Sequence, residues 1–477
     1  MRMWLSLTIS LFLLGLAVQP AVAFRPETFI NVSVPVFETR DQTGAVTTTV
    51  IPDLAYKLST PSATPITWLL GYESLDSSTT SAFFKYLTAD KNQEIGLRLE
   101  VGPQLSQAAL SLSRPDFNSS ANSLLIGYNQ KERIQLLDAA LDKFFAVFGF
   151  YPKTVGADYL DSYSLSYLAS HYSVETAIFT NTDRKVKYAD AYHPGISQNY
   201  DQPPYYPAQT NALYPAQSQS DKVNLVLVSL NPHLPGSQLE PTGMDERQLS
   251  GYLYYFGQKD LNEFSHLAIG ADNRHDPLVG LNFFRQLFAV LAQTQEKLTL
   301  STKTAHQFGD WFIARYPLTS PAYSYRTGGT QLAYFNPFYQ LKLISREGVT
   351  QVDSIVWYQQ GEAEPYWYQP LLDSQLILSI YNLSRQQILP LDLNRANFQV
   401  EYWDLAINTS QGRLRLEPKQ IISSWPLEWT DAKFVDSSLV SDEYYYQAVN
   451  KRRWTQSPLV AVIVVGLLAW LIYQKSR

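Results

Sequence analysis

Cysteine is absent from the 477 residues, so disulfides, thiolate metal sites and cysteine nucleophiles are all excluded. Charge is sparse, at 17%, and 37 basic against 43 acidic residues leave a net charge of −6, which gives no support to a nucleic-acid surface. Histidine is scarce too: His171, His193, His233, His266, His275 and His306 include no pair at the i, i+4 spacing of a helical zinc site. The chain has no glycine-rich phosphate loop and no nucleophile elbow, so nucleotide binding and Ser-His-Asp hydrolysis lack their local signals. What is plentiful is apolar surface, 45% of residues, which rules out a disordered or fibrous chain. Aromatics are rich, with 32 Tyr and 10 Trp; such rings stack on sugars or fill cores, and abundance does not decide which. The length exceeds one ordinary domain of roughly 100–200 residues, so two or three folded units are expected.

The two ends set the expected location. Arg2, an apolar run from Leu5 to Val18 and the small-residue stretch to Ala23 have the form of a secretory signal peptide over residues 1–23. Near the other end, Leu459–Tyr473 is apolar and uncharged; with Ser457 and Pro458 it reaches the lower limit of roughly 17 residues for a spanning helix. Basic residues flank it on both sides, so the positive-inside rule orients it poorly, and the leader decides instead. The expectation is a single-pass cell-membrane protein: barrel 24–320, β-sandwich 321–436, juxtamembrane linker 437–456, transmembrane helix 457–473 and a cytoplasmic tail 474–477, with its bulk extracytoplasmic.

From Phe29 to about Tyr316, short apolar runs alternate with helical patterns. Expected strands are Phe29–Phe37, Ile66–Leu70, Glu94–Glu100, Thr154–Ala157, Glu175–Thr180, Val223–Leu230 and His266–Asp272. The clearest helix, Lys131–Phe148, places Ile134, Leu137, Leu141, Phe144, Phe145 and Phe148 on one face, with Gly149 as a C-terminal cap. Two later helices fit Gly280–Gln295 and Thr302–Arg315. Strand-then-helix order implies parallel strands with helices outside, an α/β fold of the (β/α)7 barrel type or a doubly wound sheet. After Pro317 the texture changes: Gln331–Leu343, Thr350–Tyr358, Ser374–Tyr381, Phe398–Ile407 and Arg413–Leu416 are short β-rich runs between turns, which suggests a β-sandwich. The loop Asn181–Ser220 is too long for a plain connection.

In a parallel barrel, reacting residues gather where strands end. Those ends carry Glu38 and Asp41, then Glu73, then Arg98 and Glu100, then Asp158 and Asp161, then Asp183, and finally Asp272. Taken singly, each acid reads as a cap, turn or salt-bridge residue. As a set they are the raw material of paired-carboxylate glycoside chemistry, in which a separation of roughly 5–5.5 Å gives retention and roughly 6.5–9.5 Å inversion. Glu100, Asp161 and Asp272 are the catalytic candidates; Glu38, Asp41, Glu73, Arg98, Asp158, Tyr205 and Tyr206 are the substrate-binding candidates. Tyr192, Tyr200 and Tyr214 would add stacking faces. No cofactor is expected, although carboxylates alone can hold a divalent cation.

The segments ITWLLGYESL, NQEIGLRLEV and FGFYPKTVGADYLDSYSLSYLASHYSVETAIFT, in that order, resemble the glycoside hydrolase/deacetylase (β/α)-barrel superfamily. They look most like membrane-anchored, polysaccharide-deacetylase-like bacterial proteins. The resemblance implies paired aspartates after the first strand and a zinc-binding His-x-x-x-His motif after a strand like EIGLRLE. Here the first strand runs into Phe37-Glu38-Thr39-Arg40-Asp41, and Arg98 falls near the first histidine's place. IGADNRHD resembles a late strand ending in a carboxylate, and Asp272 takes that position. Two readings stay open. One is a carboxylate-based hydrolase of envelope or extracellular glycan, either a glycoside hydrolase or a metal-motif-divergent deacetylase-like enzyme. The other is a catalytically silent barrel that binds glycan or a surface partner.

Overall fold

The computed structural model describes residues 27–36, 38–40, 46–48, 64–76, 78–111, 121–179, 203–230, 261–270, 285–293, 300–327, 330–358, 361, 363–368, 370, 388–401, 404–418 and 421–424. The expected leader and membrane helix lie outside these residues. No helix among the described residues is long and apolar enough to cross a membrane.

Parallel strands form the first sheet: β1 (Glu27–Val36), β4 (Ile66–Leu70), β5 (Gln93–Arg98), β6 (Thr154–Ala157), β7 (Thr176–Phe179), β8 (Val226–Ser229), β9 (Phe264–Gly270) and β10 (Leu300–Thr302). A short hairpin of β2 (Glu38–Arg40) and β3 (Val46–Thr48) follows β1. The ladder runs β1-β4-β5-β6-β7-β8, while β9 pairs along β1 and β10 pairs with β1 at Thr28–Ile30. The sheet curls into a nearly closed barrel: Leu230, just after β8, lies so near β9 that a Cβ on Gly270 would be 2.4 Å from its Cδ1. Every β1 residue after Glu27 is buried, as expected of a parallel strand covered on both faces.

Helices α1 (Ser78–Leu87), α2 (Pro103–Leu110), α3 (Gln130–Phe148), α4 (Ser162–Tyr172) and α5 (285–293) come between the strands, and α6 (Ala305–Arg315) follows β10. In the outer layer, Val32, Val34, Trp68, Leu70, Leu97 and Val155 pack with Phe84, Leu137, Leu141 and Leu168. α3 begins in a capping box made by Asn129 and Glu132 and ends at Gly149, whose φ of +80° suits only glycine without strain. Its buried stripe is Arg133, Leu136, Leu137, Ala140, Leu141 and Phe144. Phe145, expected on that face, is exposed.

The lumen is filled by side chains. Leu69 occupies space that Gly96 and Gly156 leave open, and a Cβ on Gly156 would meet it at 2.4 Å. The N-terminal end is plugged by α6, whose Phe308 and Phe312 pack on Phe29, Ile178, Val226 and Phe264. Polar residues near the strand starts receive its first turn. Thr67 Oγ1 accepts from the Ala305 N–H at 2.8 Å, Glu94 accepts from the His306 N–H at 3.0 Å, and Asn31 donates to the Lys303 carbonyl at 2.8 Å. Asn31 is therefore buried.

The strand-rich half forms two antiparallel sheets. One contains β11 (Tyr323–Thr327), β12 (Gln331–Phe335), β13 (Tyr339–Arg346), β14 (Val349–Trp357) and β15 (Ile388–Leu389). The other contains β16 (Asn397–Glu401), β17 (Asp404–Thr409), β18 (Gly412–Leu416) and β19 (Ile421–Ser423). They touch where Tyr339 donates to the Glu417 carbonyl at 2.7 Å and where Arg326 lies 4.4 Å over the Phe398 ring. The expected strand Ser374–Tyr381 lies outside the described residues. Glu27–Val440 make one compact unit, and Val356, Tyr358 and Tyr366 join the outer core of the barrel.

Candidate functional site

At the C-terminal ends of β4, β5 and β6, four charged side chains gather. Arg98 ends β5, two residues beyond Gly96, whose missing side chain makes room for Leu69; the two-residue repeat puts Arg98 on the same lumen-facing side. Its Nε is 3.1 Å from Glu100 and its Nη2 is 3.0 Å from Asp158, which follows β6. Arg98 is only 3% exposed, whereas Glu100 reaches solvent with 28% of its side chain. A buried guanidinium requires such partners, and Arg98 balances two acids with one fixed charge.

Glu73, in the short turn after β4, completes the group. Its carboxylate packs against Gly102, where a Cβ would lie on top of it, and its buried Oε1 meets no hydrogen-bond donor among the described residues. Burial holds Glu73 above the ordinary carboxylate range, helped by the Glu100 and Asp76 charges and opposed by its own backbone N–H and Lys143. Lys143 is tied to Asp76 at 2.8 Å and lies over the Tyr72 ring. The site thus holds one carboxyl inclined to keep its proton beside one salt-bridged carboxylate open to solvent.

The other expected residues divide differently. Asp161 follows β6 but is fully buried: it caps α4 through Ser164, whose N–H is 3.0 Å from Oδ1, and it pairs with Arg133 at 3.1 Å. With no solvent face, it is a structural acid, and it leaves the catalytic set. Tyr205, Tyr206 and Tyr214 are buried as well. Tyr205 donates to the Ala212 carbonyl at 2.8 Å, and Tyr206 packs on Phe312, so their ring faces are not open to a sugar. Of Glu38 only the backbone, in β2, is described. Asp41, Asp183, Asp272, Tyr192 and Tyr200 lie outside the described residues.

Two clusters were not anticipated. Glu364, from the turn after β14, is buried against the barrel. It accepts from the Ser162 N–H at 2.5 Å, from Ser162 Oγ at 2.6 Å and from the Tyr159 hydroxyl. Burial, and then the Asp161 charge, push Glu364 up to about 7, against those donors. Its sequence signal is an acid set among aromatics, Glu364-Pro365-Tyr366-Trp367, between β-rich runs. At the opposite end of the barrel, Glu175, His306 and Asp310 bring ligand atoms within 4.8 Å of one another, and Lys153 Nζ sits 2.6 Å from Glu175. There the legible signal was the i, i+4 spacing of His306 and Asp310 on an expected helix.

The zinc implied by the resemblance does not fit the rim. Arg98 places a permanent cation among the carboxylates that a dication would need. Of the histidines that are described, His266 is in the barrel wall, where burial drives it down to about 3 and it meets Asn31 at 2.5 Å. His306 is at the plugged end, and His171 is at the end of α4.

No protein-family model matches the chain, and no curated protein matches it significantly. Among solved structures it is similar to a candidate glycoside hydrolase/deacetylase from Parabacteroides distasonis, at 13% identity and a TM-score of 0.52 over 73% of this chain and 89% of that one. A candidate polysaccharide deacetylase from Mycobacterium smegmatis aligns at 12% identity and a TM-score of 0.38, over 62% of this chain and 93% of that one. A GH57 branching enzyme from Thermococcus kodakaraensis aligns at 10% and 0.33, over 60% and 71%. The first of these likenesses bears out, at the level of fold alone, the resemblance read from the sequence: this chain shares the barrel fold of that structure.

Proposed function

We propose that the chain is a carbohydrate-active hydrolase that cleaves glycosidic bonds at the rim formed by β4, β5 and β6. The observation that carries the reading is the unequal carboxyl pair. Glu73 is buried and held toward its protonated form, while Glu100 is salt-bridged to Arg98 and open to solvent. A carboxyl held toward its protonated form next to a second, solvent-facing carboxyl is the arrangement that acid and base roles in one site call for. Glu73 would protonate the leaving glycosidic oxygen, and Glu100 would act as the second carboxyl of the pair, with Arg98 and Asp158 fixing its orientation. The alternative, a silent glycan-binding barrel, loses support because Tyr205, Tyr206 and Tyr214 bury their rings.

The sequence supports an extracytoplasmic, single-pass arrangement, with residues 1–23 as leader and 457–473 as anchor, and therefore an envelope or extracellular glycan as substrate. The strand-rich half is read as the expected sandwich, here in two antiparallel sheets.

The test is incubation of the purified full chain with a panel of glycans, wild type against Glu73→Gln and Glu100→Gln. Wild type should release reducing ends from at least one glycan, and Glu73→Gln should lose about 10²–10⁴-fold in kcat. Rates should fall as pH rises through the pKa of Glu73, since the proton donor is then lost. Absence of turnover across the panel, or full activity in both variants, would refute hydrolysis.

A further inference from the structure

We infer that Glu364, supplied by the strand-rich half, is the positioning residue of the rim site; this rests on the hydrolytic reading above. The loop from Asp158 to Asp161 joins β6 to α4, and its first residue is the acid that pairs with Arg98. Glu364 grips that loop and the first residue of α4. Tyr159 donates its hydroxyl to one carboxyl oxygen, while Ser162 donates its N–H and Oγ–H to the other. Tyr159 is the immediate neighbour of Asp158, so a fixed Tyr159 and a fixed Ser162 leave the peptide between them little freedom.

Glu364 is itself held from three directions. Its N–H donates to the Thr210 carbonyl at 3.0 Å. Two residues on, Arg133 Nη2 donates to the Tyr366 carbonyl at 2.8 Å, and Gln130 donates to that of Trp367 at 2.7 Å. The anchor is 2% exposed, so it neither touches substrate nor exchanges with water. Released from Glu364, the loop would let Asp158 draw away from Arg98, which would shift the balance of its ion pairs toward Glu100. The charge facing Glu73 would change without any rim residue being altered. The second half of the chain is therefore part of the barrel's chemistry rather than an appendage.

The experiment compares Glu364→Ala, Glu364→Gln and Tyr159→Phe in the full chain by steady-state kinetics on the cleaved glycan and by amide hydrogen exchange. Glu364→Ala should lower kcat about ten- to hundredfold with KM changed less than about threefold, and should speed exchange across 158–165. Gln keeps the shape and an acceptor for Ser162, so it should restore most of kcat and of the protection. Tyr159→Phe, which removes one bond at smaller structural cost, should fall between the two and decides the matter if the alanine variant does not fold. Wild-type kcat and exchange in Tyr159→Phe and in any folded alanine variant would overturn the inference, as would a glutamine variant as impaired as alanine. If the wild type cleaves no glycan, hydrolysis is refuted, whereas exchange across 158–165 still reports whether Glu364 holds the loop.

Discussion

Arg133 shows how a single buried charge organises its surroundings. It is 1% exposed, its Nη1 pairs with Asp161 at 3.1 Å, and its other nitrogens donate to the carbonyls of Tyr128, Ile126 and Tyr366. Arg133→Met should cost about 3–5 kcal/mol in urea unfolding at neutral pH, because the buried Asp161 loses the cation that faces it. The sequence shows Asp161 as an acid at a strand end, and that placement is right. What it hides is the partner. Arg133 belongs to a helix whose apolar spacing pointed to Ile134, and only the tertiary arrangement brings a charge 28 residues upstream of Asp161 into the core. Glu73 was legible as a rim residue, but its proton-retaining character depends on packing against Gly102 and so on the fold.

Elements were easier to read than partners. Parallel strands buried on both faces appear as short, nearly continuous apolar runs, which is why Ile66–Leu70 and Thr154–Ala157 agree with the structure at both ends. β10 escaped notice because three residues, Leu300–Thr302, are too few to show any period. Tyr205 and Tyr206 misled for a different reason: a tyrosine-rich loop has the same composition whether its rings face a groove or a core. Within the barrel, the close approach of β4, β5 and β6 depends on small residues. Gly156→Ala would force a methyl into Leu69, so it should destabilise the chain by about 1–3 kcal/mol, seen as a lowered Tm with the rim chemistry retained. Gly102→Ala works differently. Its methyl would collide with the Glu73 carboxylate at the rim, so activity should fall more than Tm does.

For the whole molecule, two buried groups set opposite dependences of stability on pH. Glu364 titrates near 7 in the folded chain against an ordinary 4.5, so the folded state binds the extra proton and stability falls as pH rises across that window. His266 titrates near 3 against an ordinary 6.5, so the unfolded state binds the extra proton and stability falls as pH drops from 6.5. Each slope is at most on the order of 1 kcal/mol per pH unit, and between roughly 4.5 and 6.5 the two oppose one another. Relative to the wild-type curve in that interval, denaturant titrations should tilt upward with pH for Glu364→Gln and downward for His266→Gln. Parallel curves for all three would contradict these assignments. One further property belongs to this scale. Between β8 and β9 no ladder forms among the described residues, and the meeting of Leu230 with Gly270 is a contact of side chain on backbone. Among the described residues the barrel is thus a rolled sheet whose β8 and β9 edges meet by side-chain packing and share no ladder. Arg98 and Glu100 stand across from that seam, on a wall whose strands β4, β5 and β6 are joined by ladder hydrogen bonds.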